Sequence, residues 1–271
     1  MKLAVQHHLV AGATLQERFQ RALDYGFDGV ELTVWGFDGP IEDHFDVIDA
    51  AKTATGISIS TICTAGSDDL VVVDAPEREK RIVGLVSKLR FAHALGAKGV
   101  IALPLRAAVR VPDLSPIADE MTMTHQLLLS SLSAGLAQTA DLSTEIFLEP
   151  LNRYEARFLR TVGHAADLCD VMGDPRVKVM ADLYHMNIEE AHPPTALREA
   201  GAFVGHVHVA DSQRLEPGKG HLNFLGAFEA LKQIGFSGWM AMECGLSGEA
   251  SDVLPASVQF LRQTWEKARS A

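Results

Sequence analysis

The chain has 271 residues, 47% hydrophobic and 22% charged, with a formal net charge of −11. This composition is ordinary for a soluble globular protein. No apolar run approaches the ~20 residues of a membrane span, and the acidic balance argues against nucleic acid or an anionic membrane as a partner chosen by charge. Cys63, Cys169 and Cys244 are odd in number and far apart, which fits neither a disulfide framework nor zinc-type CxxC spacing. A cytoplasmic location is the simplest expectation. The opening "MKLAVQHHLV" goes directly into a strand-like pattern and lacks the long apolar region of a signal peptide.

Eight strand-like runs follow in order, at residues 2–8, 28–34, 57–63, 99–105, 145–151, 177–183, 204–210 and 238–244. Helical patterns lie between them. "TLQERFQRALDYG" opens on a Thr cap and ends at Gly26, and "PEREKRIVGLVSKLRFAHALG" opens on Pro76 and ends at Gly96. "TMTHQLLLSSLSAGLAQTAD", "GHAADLCDVMG", "GAFEALKQIG" and "LPASVQFLRQTWEKA" continue the alternation. Alternating strands and helices predict parallel βαβ units, and eight of them predict a closed (β/α)8 barrel over a doubly wound open sheet. No composition shift marks a second domain, so residues 1–271 read as a single TIM-barrel domain. The longer stretches at about 65–76 and 106–120 follow strands 3 and 4. They would lie on the catalytic face as lids or as ordinary loops.

Four of the runs end in a metal-ligating side chain: Glu149, Asp182, His208 and Glu243. A barrel brings these strand ends to one mouth, where three carboxylates and an imidazole would make a mainly oxygen-donor site for a divalent cation. A lone acidic residue at an apolar strand end usually means a salt bridge or a cap. Four at consecutive ends favour a site.

The segments "LEPLNRYE", "DLYHMNIEE", "HVHVADSQRLEPGKGHLNF" and "MECG" resemble the xylose-isomerase-like superfamily of sugar isomerases and epimerases, and within it the D-tagatose and D-psicose 3-epimerase group. The first half shares only general patterns such as "GFDGVEL". The resemblance implies metal ligation by Glu149, Asp182, His208 and Glu243, with Glu149 and Glu243 doubling as the acid/base pair. It implies Mn2+ as the first choice of ion, with Co2+ or Mg2+ as alternatives, and substrate contacts from His185, Arg214 and Glu155. It also implies a small sugar or polyol-derived substrate and a homodimer or homotetramer. A cation that polarises a ketose carbonyl acidifies the adjacent C–H. One Glu would remove that proton and the other return it to the opposite face, inverting C3. The same proton moved between C1 and C2 would give aldose–ketose isomerisation.

Two departures, Pro150 after Glu149 and "HVADSQR" after strand 7, keep hydroxypyruvate isomerase-like and inosose dehydratase-like chemistry open. An endonuclease IV-like nuclease is disfavoured, because "DSQR" lacks the Asp-x-His pair its cluster would need and the net charge opposes DNA. A non-catalytic sugar-binding barrel would not need two opposed carboxylates. Several other residues carry weaker expectations. His206 reads as a hydrogen-bonded core histidine, Glu31 as a partner behind the site, and one of His7 and His8 as facing the mouth. Trp35 and Phe37 read equally as a wall for the sugar or as a packed loop. Neither Cys63 nor Cys244 carries a cue for a nucleophilic thiolate. "EPGKGH" satisfies turn geometry at least as well as it does phosphate binding.

Overall fold

The computed structural model describes residues 1–64, 69–102 and 111–270. Eight parallel strands close a barrel in sequence order: β1 Lys2–Gln6, β2 Gly29–Thr33, β3 Ser58–Cys63, β4 Gly99–Ala102, β5 Glu145–Leu148, β6 Val177–Asp182, β7 Val204–Val209 and β8 Trp239–Met242. β8 pairs back onto β1, with Ala241 opposite Ala4, which removes the sheet edges. All eight anticipated strands form, and the seven other than β4 are trimmed at one or both ends. Glu149 lies one residue beyond β5, where its N–H still bonds the Ala102 carbonyl. Glu243 lies one residue beyond β8. Residues 103–105 of the fourth run lie outside the described residues, as do 65–68 and 106–110 of the two long loops.

The helices are α1 Leu15–Asp24, α2 Phe45–Thr55, α3 Ala75–Leu95, α4 Glu120–Gln138, α5 Val162–Met172, α6 Leu183–Glu189, α7 Pro193–Ala200, α8 Phe224–Gln233 and α9 Ala250–Lys267. The Thr14 side chain caps α1 by accepting the Glu17 N–H, Gly26 follows α1 at φ +93°, and Gly96 closes α3 at φ +71°. Helices α2, α6 and α7 had no counterpart in the sequence reading. Helix α6 is only seven residues long and starts directly from β6, too short to show a helical period. Among the described residues no helix is long and apolar enough to cross a membrane.

The main apolar core lies between the barrel wall and the helices, with Phe19, Ile48, Leu89, Leu132, Phe228 and Leu261 among its buried members. Cys63, Ile101, Phe147 and Met180 form a second buried cluster. Phe147 needs the glycines beside it, since a Cβ on Gly99 would stand 2.6 Å from its ring and one on Gly205 2.8 Å. The period-two alternation that buries Phe147 carries the next residue on the same face, Glu149, to the mouth.

Candidate active site

Each proposed ligand is delivered by a strand end. Glu149, Asp182, His208 and Glu243 offer one ligand atom each, and these atoms lie within 4.8 Å of one another. Asp182 and His208 face each other in the β6–β7 register, and His208 is opposite Ala241, two residues before Glu243. Asp182 serves two purposes. Its Oδ1 accepts the N–H groups of Tyr184 and His185 at 2.7 and 3.2 Å, which starts α6 and fixes His185 in the first turn. Its Oδ2 points into the site, 3.9 Å from His208 Nδ1.

Glu149, Asp182 and His208 are buried, and Glu243 is mostly so. The electrostatics are uneven. Burial pushes the Glu149 carboxyl well above the usual carboxylate range, and the neighbouring Glu243 charge pushes it the same way. Burial also opposes the Glu243 charge, but His208 and Arg214 outweigh it and hold this carboxyl down at about 2. For His208 burial disfavours the cation, yet Glu31 and Glu243 raise the imidazole well above its ordinary value. The carboxylates of Glu149, Asp182 and Glu243 repel one another across this small space, and a divalent cation among them would remove the repulsion. The residues therefore fit a divalent ion that accepts oxygen and imidazole donors.

The three anticipated substrate residues stand beside this set. Arg214 holds φ +60° in the loop after β7, with its guanidinium 4.7 Å over the Tyr184 ring. Its Nη1 donates to Asp182 Oδ2 at 3.2 Å and its Nη2 donates to Glu243. The backbone N–H of Asn152 donates to His185 Nδ1 at 3.2 Å, so the ring proton of neutral His185 sits on Nε2. That nitrogen is 3.9 Å from both Glu149 Oε1 and Asp182 Oδ2. Asn152 Nδ2 also donates to Glu155 Oε1 at 3.2 Å, linking Glu155 to the His185 side of the site.

Other sequence readings find definite places. His206 is buried with Nε2 2.9 Å from Glu31 Oε2, and His7 is buried with Nδ1 accepting the Thr33 N–H. Burial holds His7 at about 3, so it is uncharged at neutral pH. His8 is the exposed member of that pair, beside a half-exposed Trp35. Phe37 packs on His7 with ring centres 5.0 Å apart. The N–H of Gly218 in "EPGKGH", with those of Ser212 and Leu222 on either side of the stretch, bonds the Asp211 carboxylate. An anion of the chain already takes the donors a phosphate would use. Gln6, Thr61 and Asn152 escaped the sequence reading. Gln6, a polar residue in the otherwise apolar "LAVQ", was the one visible signal, and it donates to both Glu31 and Glu243.

Residues 19–264 match the family described as xylose isomerase-like TIM barrel. The chain is 30% identical to a 3-dehydro-D-guloside 4-epimerase of Escherichia coli over 92% of its own length and 94% of that protein. It is 44% identical to a D-psicose 3-epimerase of Enterocloster bolteae, but over 35% of this chain and 32% of that one. The crystal structure of E. coli 3-keto-D-glucoside 4-epimerase superposes with a TM-score of 0.85 at 26% identity, covering 97% and 99% of the two chains. The chain is thus an enzyme of the isomerase type, and it belongs to the xylose isomerase-like TIM barrel family.

Proposed function

We propose that residues 1–271 form a one-domain, divalent-metal-dependent sugar epimerase that inverts a carbon next to a ketone, with ketose 3-epimerisation as the leading reaction. The observation that carries this reading is the convergence of Glu149, Asp182, His208 and Glu243 within 4.8 Å at the strand ends. Those four would hold the cation, Mn2+ by first choice, which supplies Lewis-acid polarisation of the sugar carbonyl. One of Glu149 and Glu243 takes the C3 proton as a base, and the C–H electron pair moves into an enediolate. The other, as the carboxylic acid, gives a proton to the opposite face. Arg214 and His185 add donors for sugar oxygens. Arg214 Nη1 and the proton-bearing Nε2 of His185 stand 3.0 Å apart, two donors facing each other, and a sugar oxygen accepting from both would satisfy them. Glu155, reached through Asn152, is placed to accept from a further hydroxyl. Three unpaired cysteines support a reducing, cytoplasmic setting.

A second reading, 4-epimerisation of a 3-keto-glycoside, draws on the likeness to the E. coli 4-epimerase along nearly the whole chain, where the D-psicose 3-epimerase likeness spans about a third. Both reactions move a proton beside a ketone. The deciding experiment incubates Mn2+-loaded protein in D2O with ketohexoses, ketopentoses and 3-keto-glucosides, and reads the recovered sugars by NMR after the ion is removed. Deuterium at C3 with a new ketose establishes 3-epimerisation, deuterium at C4 of the keto-glycoside establishes the second reading, and deuterium at C1 or C2 with an aldose indicates isomerisation. Sugars that emerge unlabelled throughout would sink the proton-transfer reading.

A further inference from the structure

The four proposed ligand residues all sit at the C-terminal ends of strands β5 to β8, yet the site's most heavily hydrogen-bonded carboxylate comes from β2. Glu31 is fully buried. Its Oε1 receives the Gln6 carboxamide at 3.0 Å and lies 2.9 Å from His208 Nε2. Its Oε2 receives the Thr61 hydroxyl and lies 2.9 Å from His206 Nε2. Gln6 then reaches across to Glu243 Oε1, also at 3.0 Å. A single chain of bonds thus runs from His208 through Glu31 and Gln6 to Glu243.

We propose that Glu31 is the positioning residue that holds the proton of His208 on Nε2 and so reserves Nδ1 for the cation, and that Gln6 extends this control to the orientation of Glu243. A carboxylate only accepts, so a ring nitrogen 2.9 Å from Glu31 must bring the proton. The other nitrogen, Nδ1, faces Glu243 Oε2 at 3.1 Å and Asp182 Oδ2 at 3.9 Å, where the ligand atoms gather; without an ion it donates to Glu243 by the same rule, and that second proton is the one a cation displaces while Glu31 keeps the first. Without Glu31 the neutral ring can put its proton on Nδ1, donated to Glu243, and lose the lone pair a cation needs. An anion behind Nε2 also makes Nδ1 a better donor to the ion. Gln6 occupies Glu243 Oε1 and leaves Oε2 for the centre of the site.

Glu31, His206 and His208 also lie close enough together to ligate an ion themselves. Glu31's oxygens, however, already accept from Gln6 and Thr61 as well as from the two imidazoles, and all three side chains are fully buried. That arrangement saturates the Glu31 carboxylate with donors from the chain, leaving it no free oxygen to offer an ion.

The inference rests on the metal-site reading above, but its test needs no sugar. In wild type loaded with diamagnetic Mg2+, long-range 1H–15N correlation should show His208 protonated at Nε2 alone, and Mn2+ calorimetry should give one ion per chain. Glu31→Gln offers one acceptor oxygen in place of two, so His208 should populate the Nδ1–H form and Mn2+ should bind about 10- to 100-fold more weakly. Glu31→Asp, which withdraws the charge by one methylene, should fall between the two and serves if the amide variant fails to fold. Gln6→Leu should bind Mn2+ within about threefold of wild type and lower kcat with little change in KM, as expected of a group that orients a catalytic carboxylate. An unchanged His208 tautomer and an unchanged Mn2+ affinity in both Glu31 variants would overturn the assignment. So would two Mn2+ per wild-type chain, one of them lost with Glu31. If these readouts move as expected while the D2O experiment yields no labelled sugar, the proposed reaction fails and the positioning role stands.

Discussion

Glu31 and Glu149 are the same residue type, both buried inside one barrel, and their environments push them in opposite directions. Burial opposes both charges. At Glu31 the imidazoles of His208 and His206 outweigh it, and the carboxyl is held well below the usual range. At Glu149 the first cost is the same burial, the adjacent Glu243 adds repulsion, and the carboxyl rises well above that range, with the neutral His185 Nε2 standing 3.9 Å away. The first half of the barrel holds a carboxylate whose partners are complete. The second half holds one whose charge burial and a neighbouring carboxylate both oppose. Buried groups of the second kind mark functional sites.

The largest expected effect tests the second half alone. Glu243→Gln and Glu149→Gln should each lower turnover by roughly 10²- to 10⁴-fold, the usual contribution of a general acid or base, while circular dichroism stays unchanged. Wild-type rates in a folded variant would remove that residue from the proton-transfer pair. Chelation by EDTA should abolish activity, and Mn2+ should restore it. Full turnover by protein shown to be metal-free would discard the cation's role.

The next effect sets the two glutamates against each other through stability. In EDTA-treated protein Glu31→Gln should cost about 1–3 kcal/mol, because it leaves buried donors without an acceptor. Glu149→Gln should be neutral or stabilising, because it removes a buried carboxyl whose charge burial and Glu243 disfavour. The pH dependence carries opposite signs. The depressed carboxyl of Glu31 contributes stability above the unfolded value near 4.5, lost as pH falls through its folded value. Glu149, raised in the fold, contributes stability fully present below 4.5 and lost as pH rises through its folded value. Urea denaturation at pH 7 and pH 5 should therefore show the Glu149 difference from wild type shrinking at the lower pH while the Glu31 difference stays nearly constant. Equal destabilisation by the two substitutions at pH 7 would break the comparison.

A smaller effect concerns Arg214, which reaches Asp182 with one nitrogen and Glu243 with the other. A lysine supplies the charge as a point and cannot span both, so Arg214→Lys should lower kcat/KM by about tenfold. A variant within twofold of wild type would show that charge alone suffices there.

The barrel was legible because each unit repeats a hydrophobic strand and a capped helix, and Thr14, Gly26, Pro76 and Gly96 mark helix ends for local reasons that need no tertiary context. The convergence of Glu149, Asp182, His208 and Glu243 was legible because charge at the end of an apolar strand is costly and therefore conspicuous. Their support was not. Gln6, Thr61 and Asn152 are uncharged and lie 237, 30 and 33 residues from the groups they contact, Glu243, Glu31 and His185. Only closure of the barrel joins them. Helix α6 was hidden for a related reason, because its N-terminal cap is Asp182, a residue the sequence marks for another purpose.

The smallest expected effect extends the contrast between the halves to the thiols. Cys63, in the first half, sits in the apolar cluster with Ile101, Phe147 and Met180, where burial, with Glu243 adding to it, pushes the thiol well above its ordinary value. In the second half burial raises Cys169 and Cys244 to about 12. Reaction with a disulfide reagent requires the thiolate, and a thiol at 12 is ionised in only about one molecule in ten thousand at pH 8. The native protein should accordingly release less than one equivalent of thionitrobenzoate at pH 8, and three after unfolding in guanidinium. Prompt reaction of Cys244, which is the one partly exposed cysteine, would mean that the mouth beside Glu243 admits solvent far more freely than its buried carboxylates imply.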